Sequence, residues 1–151
     1  MRNGDVAPVM YLIREVARAF RRQLEVETRR HDLTLTQWRI IGELGLRGGV
    51  SQVALANAVD SDPMTLSGVL RRLEDRGLVT RDADPKDSRA KIVSLTAAGE
   101  DLFGTVEALG GEIYKIAIAG MSQEDIDALS GGLARVRDNL TGSDADQKEI
   151  A

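Results

Sequence analysis

The stretch that decides the fold is "SQVALANAVDSDPMTLSGVLRRLEDRGLVT", Ser51–Thr80, which predicts two short helices followed by a strand. Ser51 is a suitable N-cap for the first helix, and Asp62 for the second, with Pro63 at its first helical position. Gly77 provides the left-handed residue that commonly ends a helix. The intervening "DSD" leaves only a tight turn. This spacing is typical of a helix-turn-helix unit, although a plain helical hairpin fits it equally well.

A hairpin with an unusually long tip follows the second helix. Two runs suited to β-strands, "GLVTR" at Gly77–Arg81 and "KIVSL" at Lys91–Leu95, flank a charged connection that contains "DPKDSR". Antiparallel strands are usually joined by two-residue turns. A hairpin directly after the second helix makes a winged helix, in which the tip lies beside that helix. The alternative is a solvated loop that carries a surface ion pair.

Amphipathic helices are predicted on both sides of this region. The segment Pro8–Arg30 repeats apolar residues at three- and four-residue spacing, and its apolar stripe needs more partner surface than one short chain provides. Thr36 is predicted to cap the next helix, Thr96 to open a later one, and Ser122 to begin the last with Asp125 as its capping-box partner. The last helix is expected to bury Ile126, Leu129, Leu133 and Val136.

These patterns predict a mainly α fold with a winged helix-turn-helix and a two- to three-stranded β-wing. Residues 33–96 form the winged helix-turn-helix lobe in this interpretation. Residues 1–32 and 97–151 form a helical dimerisation region made of long N- and C-terminal helices.

The composition excludes several classes of protein. The 151 residues contain no cysteine and one histidine, so thiolate metal sites and thiol redox sensing are excluded and neither a metal nor a cofactor is expected. No segment approaches the roughly 18 apolar residues of a membrane span, and "MRNGDVAPVM" is too polar for a signal peptide. We therefore expect a cytoplasmic protein with no membrane partner. Phosphate-binding loops, nucleophile elbows and metal-binding His–Glu pairs are absent, so no enzyme is expected.

The charge is unevenly spread although the net charge is only −4. Residues 71–91 hold seven basic and five acidic residues, a local excess of +2, which the fold can gather into a basic face; an ordinary mixed surface is the alternative. Arg89 on the tip suits the minor groove, held by a bidentate pair with Asp87, while Arg81 and Lys86 suit flanking phosphates. The predicted DNA contacts, chosen for hydroxyl, amide and guanidinium chemistry or close approach, are Ser51, Gln52, Asp62, Pro63, Met64, Thr65, Ser67, Gly68, Arg71, Arg72, Arg81, Lys86, Asp87, Ser88 and Arg89.

From Leu33 to about Leu102 the sequence resembles the MarR family of bacterial transcription regulators. The matching stretches are "LTLTQWRIIGEL", "SQVALANAV", "MTLSGVLRRLEDRGLVTR" and "DPKDSRAKIVSLTAAGE". The last is the most specific, because its Asp-x-Arg followed by "LTAAG" is the wing signature of the family. Ser88 stands where the family usually has Arg, and Gly68 where it often has Arg. Both departures remove a positive charge near DNA.

The resemblance implies a DNA-binding homodimer on a palindromic operator, acting as a repressor or less often as an activator. It also implies release by a small aromatic or organic acid bound between the dimer base and the DNA-binding lobe. The residues on or near the bordering elements are Tyr11, Arg14, Arg18, His31, Trp38 and Arg39. Arg suits a carboxylate and the aromatic rings suit stacking, but Trp38 fits a core position, Tyr11 a dimer core and His31 a loop. The rival interpretation is a winged-helix protein-interaction module without specific DNA binding.

Overall fold

The computed structural model of this protein describes residues 7–87 and 89–148, and within these ranges it contains six helices and one three-stranded sheet. The elements in chain order are α1 Ala7–Arg30, α2 Leu35–Arg47, β1 Val50–Ser51, α3 Gln52–Ala58, α4 Pro63–Asp75, β2 Val79–Ala83, β3 Lys91–Leu95, α5 Ala97–Ala117 and α6 Gln123–Lys148. The predicted mainly α fold with a small β-wing is confirmed. Among the described residues, no helix is both long and apolar enough to cross a membrane.

The helix-turn-helix is delimited by the residues that the sequence indicates. Ser51 Oγ accepts a hydrogen bond from Ala54 N at 3.1 Å at the start of α3, and Asp62 Oδ1 accepts one from Thr65 N at 2.9 Å at the start of α4. In the turn between them, Asp60 takes a left-handed φ of 53°, which Asp tolerates better than most residues. Gly77 follows α4 with φ 69° and turns the chain into β2. Both predicted N-caps are confirmed.

The N-cap of α2 differs from the prediction. Thr34 rather than Thr36 caps the helix: Thr34 Oγ1 accepts from Gln37 N at 3.2 Å, and Gln37 Oε1 accepts from Thr34 N at 2.9 Å. This reciprocal capping box requires an acceptor side chain three residues after the cap. Gln37 provides it for Thr34, whereas Thr36 is followed at that spacing by Arg39, which can only donate.

One apolar core lies beneath the helix-turn-helix and the sheet. The spacing of Leu66, Val69, Leu70 and Leu73 predicts an apolar face on α4, and in the structure the three leucines are completely buried while Val69 is half-buried. They pack in one cluster with α2, α3 and the strands, and the buried members outside α4 are Leu33, Trp38, Ile40, Ile41, Leu44, Leu55, Ala56, Val59, Leu78, Val79, Val93 and Val106. Burial of each large aliphatic side chain stabilises the folded protein by roughly 1.5–3 kcal/mol. The cluster therefore fixes the rotation of α4 about its own axis.

The sheet that forms the wing is antiparallel, in the order β1-β3-β2. The hairpin register pairs Val79 with Leu95 and Ala83 with Lys91, and the two-residue β1 pairs Val50 with Val93 on the other side of β3. β1 directly precedes α3, so it joins the start of the helix-turn-helix to the central strand of the wing.

The base of the wing is tied to the end of α4 through Thr96. Its hydroxyl donates to Gly77 O at 2.6 Å and accepts from Gly99 N at 3.1 Å, while its backbone N–H donates to Leu78 O at 3.1 Å. Gly99 is buried here, and a Cβ at this position would lie 2.1 Å from Leu78 O. The junction therefore requires glycine because of a backbone contact.

The terminal helices carry exposed apolar residues. The chain divides into two compact units between Ile113 and Tyr114, and α6 belongs to the second. Leu129 and Leu133 are 51% and 45% exposed, so the prediction that they are buried is wrong, while Ile126 and Val136 of the same predicted face are half-buried. On α1, the exposed residues of one face are Val9, Leu12, Val16 and Phe20.

Replacing Gly99 by Ala is expected to destabilise the protein by about 3 kcal/mol, because the new methyl overlaps a backbone oxygen that cannot move freely. Gly68→Ala is the matched control, since Gly68 is exposed in α4 and a Cβ there meets nothing within 4 Å. That change is expected to stabilise by about 1 kcal/mol, the helix-propensity difference. Urea denaturation checks both values. A Gly99→Ala variant as stable as the original chain would contradict the packing at the wing base.

Candidate nucleic-acid interface

The side of α4 opposite its buried leucines is a continuous exposed surface. Helical periodicity places these two sides apart, because residues 66, 70 and 73 recur every three to four positions. The predicted contact residues that lie exposed on α4 are Pro63, Met64, Thr65, Gly68, Arg71 and Arg72, while Ser67 is half-buried. The residues that the sequence analysis assigned to α4 therefore share one accessible face.

The carboxylate at the start of α4 is engaged by the helix itself. The pKa of Asp62 lies below its ordinary value, because the Thr65 hydroxyl and then the Thr65 backbone N–H hydrogen-bond to its carboxylate. The predicted contact Asp62 is thus the N-cap, and its charge complements the positive end of the helix dipole. A capping role explains why an acid lies on a surface otherwise suited to an anionic partner.

A cavity of about 220 Å³ lies between the starts of α3 and α4 and the tip end of β3. The lining residues are Ser51, Gln52, Val53, Pro63, Arg89, Ala90 and Lys91. The structure thereby brings together predicted contacts from β1, α3, α4 and the wing tip, and it adds Val53 and Lys91, which were not predicted from the sequence. The spacing of Val53 with Ala56 and Val59 predicts a buried side chain, but Val53 is 70% exposed.

Acidic residues shape the tip of the wing through backbone hydrogen bonds. Asp84 Oδ1 accepts from Lys86 N at 2.8 Å, and Asp87 Oδ1 accepts from Arg89 N at 3.0 Å. The expected bidentate pair between Asp87 and the Arg89 guanidinium is therefore replaced by an Asx-type turn that uses the Arg89 backbone. Lys86, Asp87 and Arg89 are exposed, and the predicted contact Ser88 lies outside the described residues.

Arg81 contacts a carboxylate on α4. Its Nε lies 3.1 Å from Glu74 Oε2, a second guanidinium nitrogen bonds the same oxygen, and the Arg81 side chain is only 21% exposed. The Arg81 guanidinium holds the pKa of Glu74 below its ordinary value. This pair joins β2 to α4, so Arg81 braces the wing against the helix. Whether it also contacts a phosphate stays a prediction.

The predicted ligand residues fall into two groups along the chain. Tyr11, Arg14 and Arg18 are exposed and follow one face of α1, with the Arg18 guanidinium 3.8 Å from Glu15. His31 is half-buried at the end of α1. At about 1.5 Å per residue, Arg18 and His31 lie roughly 20 Å apart along the helix, too far to touch one small ligand.

The remaining two predicted ligand residues lie on α2. Trp38 is buried in the core, so its ring is held by packing rather than presented to a cavity, while Arg39 is exposed. This placement agrees with the core alternative for Trp38. Only Arg39 of the pair offers a group to a ligand.

Comparison with known proteins gives a consistent result. The family model described as MarR family matches residues 33–91. The transcriptional regulator HosA of Escherichia coli O111:H- is 36% identical over 94 residues, which cover 62% of this chain and 70% of HosA.

Two solved structures extend the similarity beyond the matched region. The structure of a probable transcriptional regulator from Pseudomonas aeruginosa has a TM-score of 0.71 at 34% identity, covering 85% of this chain and 96% of that one. The structure of NadR in complex with 4-hydroxyphenylacetate has a TM-score of 0.73 at 29% identity, covering 90% and 94%.

The Glu74–Arg81 pair is expected to stabilise the wing against α4 over a defined pH range. A double-mutant cycle of Glu74→Gln and Arg81→Ala, measured by urea denaturation, should show favourable coupling at pH 7. Because the folded pKa of Glu74 is lowered, the coupling is fully present above the ordinary value of 4.5 and is lost as pH falls through the lower folded pKa. Coupling that already disappears between pH 7 and pH 5.5 would contradict this assignment.

Proposed function

The chain belongs to the MarR family of transcriptional regulators, and on this premise we propose that it represses transcription in the cytoplasm by binding a palindromic DNA operator as a homodimer. The observation that carries the proposal is that four acids of α4 and the wing are engaged by groups of the protein itself. Asp62, Asp84 and Asp87 accept backbone hydrogen bonds, and Glu74 pairs with Arg81. The exposed cations around them are Arg71, Arg72, Lys86, Arg89 and Lys91. A surface of this kind suits a polyanion.

The geometry supports α4 as the helix that enters the major groove. In helix-turn-helix proteins the N-terminal residues of the second helix reach base edges, while the first helix crosses the backbone. Thr65 and Arg72 follow one exposed row of α4 and suit bases or phosphates. The wing then extends along the duplex, where Arg89 suits the electronegative minor groove.

A homodimer is supported by the exposed apolar faces of the terminal helices. On α6, apolar residues recur at alternating three- and four-residue spacing, the repeat that packs helices side by side. They are Ile126, Leu129, Leu133, Val136 and Leu140. The stripe on α1 is similarly uncovered, and such faces are stable in water only when a partner covers them. Two-fold symmetry then predicts operator half-sites about one helical turn apart.

A small aromatic carboxylate is the effector class that the chemistry of the chain favours. NadR has been solved with 4-hydroxyphenylacetate, and we extend this ligand class to the present protein. Arg14 and Arg18 supply guanidinium groups for a carboxylate, and Tyr11 on the same helix face supplies a ring. Because Arg14 and Arg18 are remote from His31 along α1, a site that uses both ends of this helix draws one of them from the second chain of the homodimer.

Two alternatives make different demands on the surface. A winged-helix module that binds another protein does not require a surface on which the acids are engaged within the protein while the cations stay exposed. Transcriptional regulators of this type are not enzymes, and among the described residues no cluster of His, Asp or Glu suited to a metal ion is present.

Arg89→Ala is expected to weaken operator binding at least about tenfold without lowering the melting temperature, because Arg89 is exposed and its guanidinium forms no ion pair with the residues that the structure describes. Arg47→Ala is the matched control, since it removes one positive charge whose partner, Glu43, lies 2.9 Å away on the same helix. Fluorescence anisotropy on a duplex selected from random sequences provides the measurement. Equal affinities for the Arg89→Ala variant and the unaltered protein would remove the wing from DNA recognition.

Leu133→Asp is expected to convert the dimer into a monomer, because it puts a charge into the apolar stripe of α6. Ala128→Asp adds the same charge beside Asp127 and Arg135, on the other side of the helix, and is expected to leave the dimer intact. Sedimentation at micromolar concentration distinguishes the two variants. If the unaltered protein sediments as a monomer at micromolar concentration, the proposed homodimer is contradicted.

A further inference from the structure

Met64 is an apolar side chain on the surface proposed to face DNA. It is the second residue of α4 and is 87% exposed, more than any other large hydrophobic residue among those whose side chains are described. It takes no part in the core, which α4 reaches through its leucines. The fold therefore gives no packing reason for an apolar residue here.

The start of α4 holds this side chain in a defined position. Asp62 caps the helix and Pro63 occupies its first turn, so the backbone at Met64 is fixed by a hydrogen bond and by a proline ring. One turn further along, Gly68 has no side chain, and a Cβ there would meet nothing in the protein. A partner surface can therefore approach α4 closely at Gly68 while Met64 extends ahead of it.

Apolar and cationic groups line the cavity beside Pro63, the residue that precedes Met64 in α4. Val53, which is 70% exposed, and Pro63 line this cavity together with Arg89 and Lys91. On α4, Arg71 follows Gly68 at the next helical turn of the same row. A small apolar area bordered by cationic side chains is complementary to a polyanionic ligand that presents one apolar group.

The major groove of DNA presents one such group, the C5-methyl of thymine. We propose that Met64 is a specificity-determining residue that contacts a thymine methyl in each operator half-site, with Val53 extending the apolar surface. The unbranched thioether of methionine adapts to the position of that methyl without requiring a hydrogen bond. This inference rests on the proposed DNA-binding function and adds the identity of one base contact.

Replacement of single thymines by deoxyuridine provides the test, since it removes only the methyl group. The operator is first selected from random duplexes with the full-length protein, and each thymine is then replaced in turn. The original protein is expected to lose about fourfold in affinity per half-site at one position, the effect of removing one buried methyl. Met64→Ala should bind the unmodified operator more weakly and should show no further loss at that position.

Two control variants make the result specific. Met64→Leu keeps an apolar side chain and should keep the deoxyuridine sensitivity, whereas Thr65→Ala should weaken binding but leave that sensitivity unchanged. Met64 is exposed, so the two Met64 variants are expected to keep the melting temperature of the original protein. Sequence-selective binding in which every deoxyuridine effect is the same for Met64→Ala and the original protein would overturn this inference and leave the proposed function standing. Failure to select any duplex would overturn the proposed function itself.

Discussion

The burial of one side of α4 is the constraint on which the rest of the structure depends. Leu66, Leu70 and Leu73 are fully enclosed by α2, α3 and the sheet, and no rotation of α4 about its axis keeps all three buried. The helical repeat then dictates that the opposite side faces solvent. Burial of the leucines therefore determines which residues of α4 are exposed. Because the buried side is closely packed, the positions of the exposed residues are well defined.

The wing is positioned by contacts at the same helix. Thr96 hydrogen-bonds Gly77 at the end of α4, Glu74 pairs with Arg81 on β2, and Gly99 permits α5 to start against Leu78. These contacts lie at different points along the hairpin base, so together they fix the orientation of the wing relative to α4. A partner that contacts both α4 and the tip thus encounters a preorganised surface, and little conformational entropy is lost on binding.

Local signals in the sequence predicted much of the fold, because caps, helix stops and apolar stripes depend on neighbours within one or two turns. Ser51, Asp62, Gly77 and the leucines of α4 are correctly assigned for this reason. The incorrect predictions concern residues whose role or burial depends on a contact with another side chain or surface. Thr34 is chosen over Thr36 by the side chain of Gln37, and the exposed Val53 matches the pattern of a buried residue. The stripe on α6 has the spacing of a core face, but Leu129 and Leu133 are exposed.

In the candidate site, too, the sequence predicts which residues are present but not which residues they contact. Composition and position identify the basic residues of the wing, but they do not show that Arg81 is engaged by Glu74. Nor do they show that Asp87 bonds the backbone of Arg89 rather than its guanidinium. The pairing of Glu74 with Arg81 crosses the turn at Gly77, and no local pattern specifies such a contact.

The measurement that tests the central claim most directly is the affinity of the purified protein for its selected duplex, and for a shuffled control, across a salt series. Four exposed cations per chain on α4 and the wing tip, Arg71, Arg72, Lys86 and Arg89, predict a linear fall of log affinity with log salt, with a slope of about −7 for a dimer. The selected duplex should bind more tightly than the control at every concentration. Binding that is insensitive to salt, or equal for the two duplexes throughout, would contradict the account and favour a winged-helix module that recognises another protein.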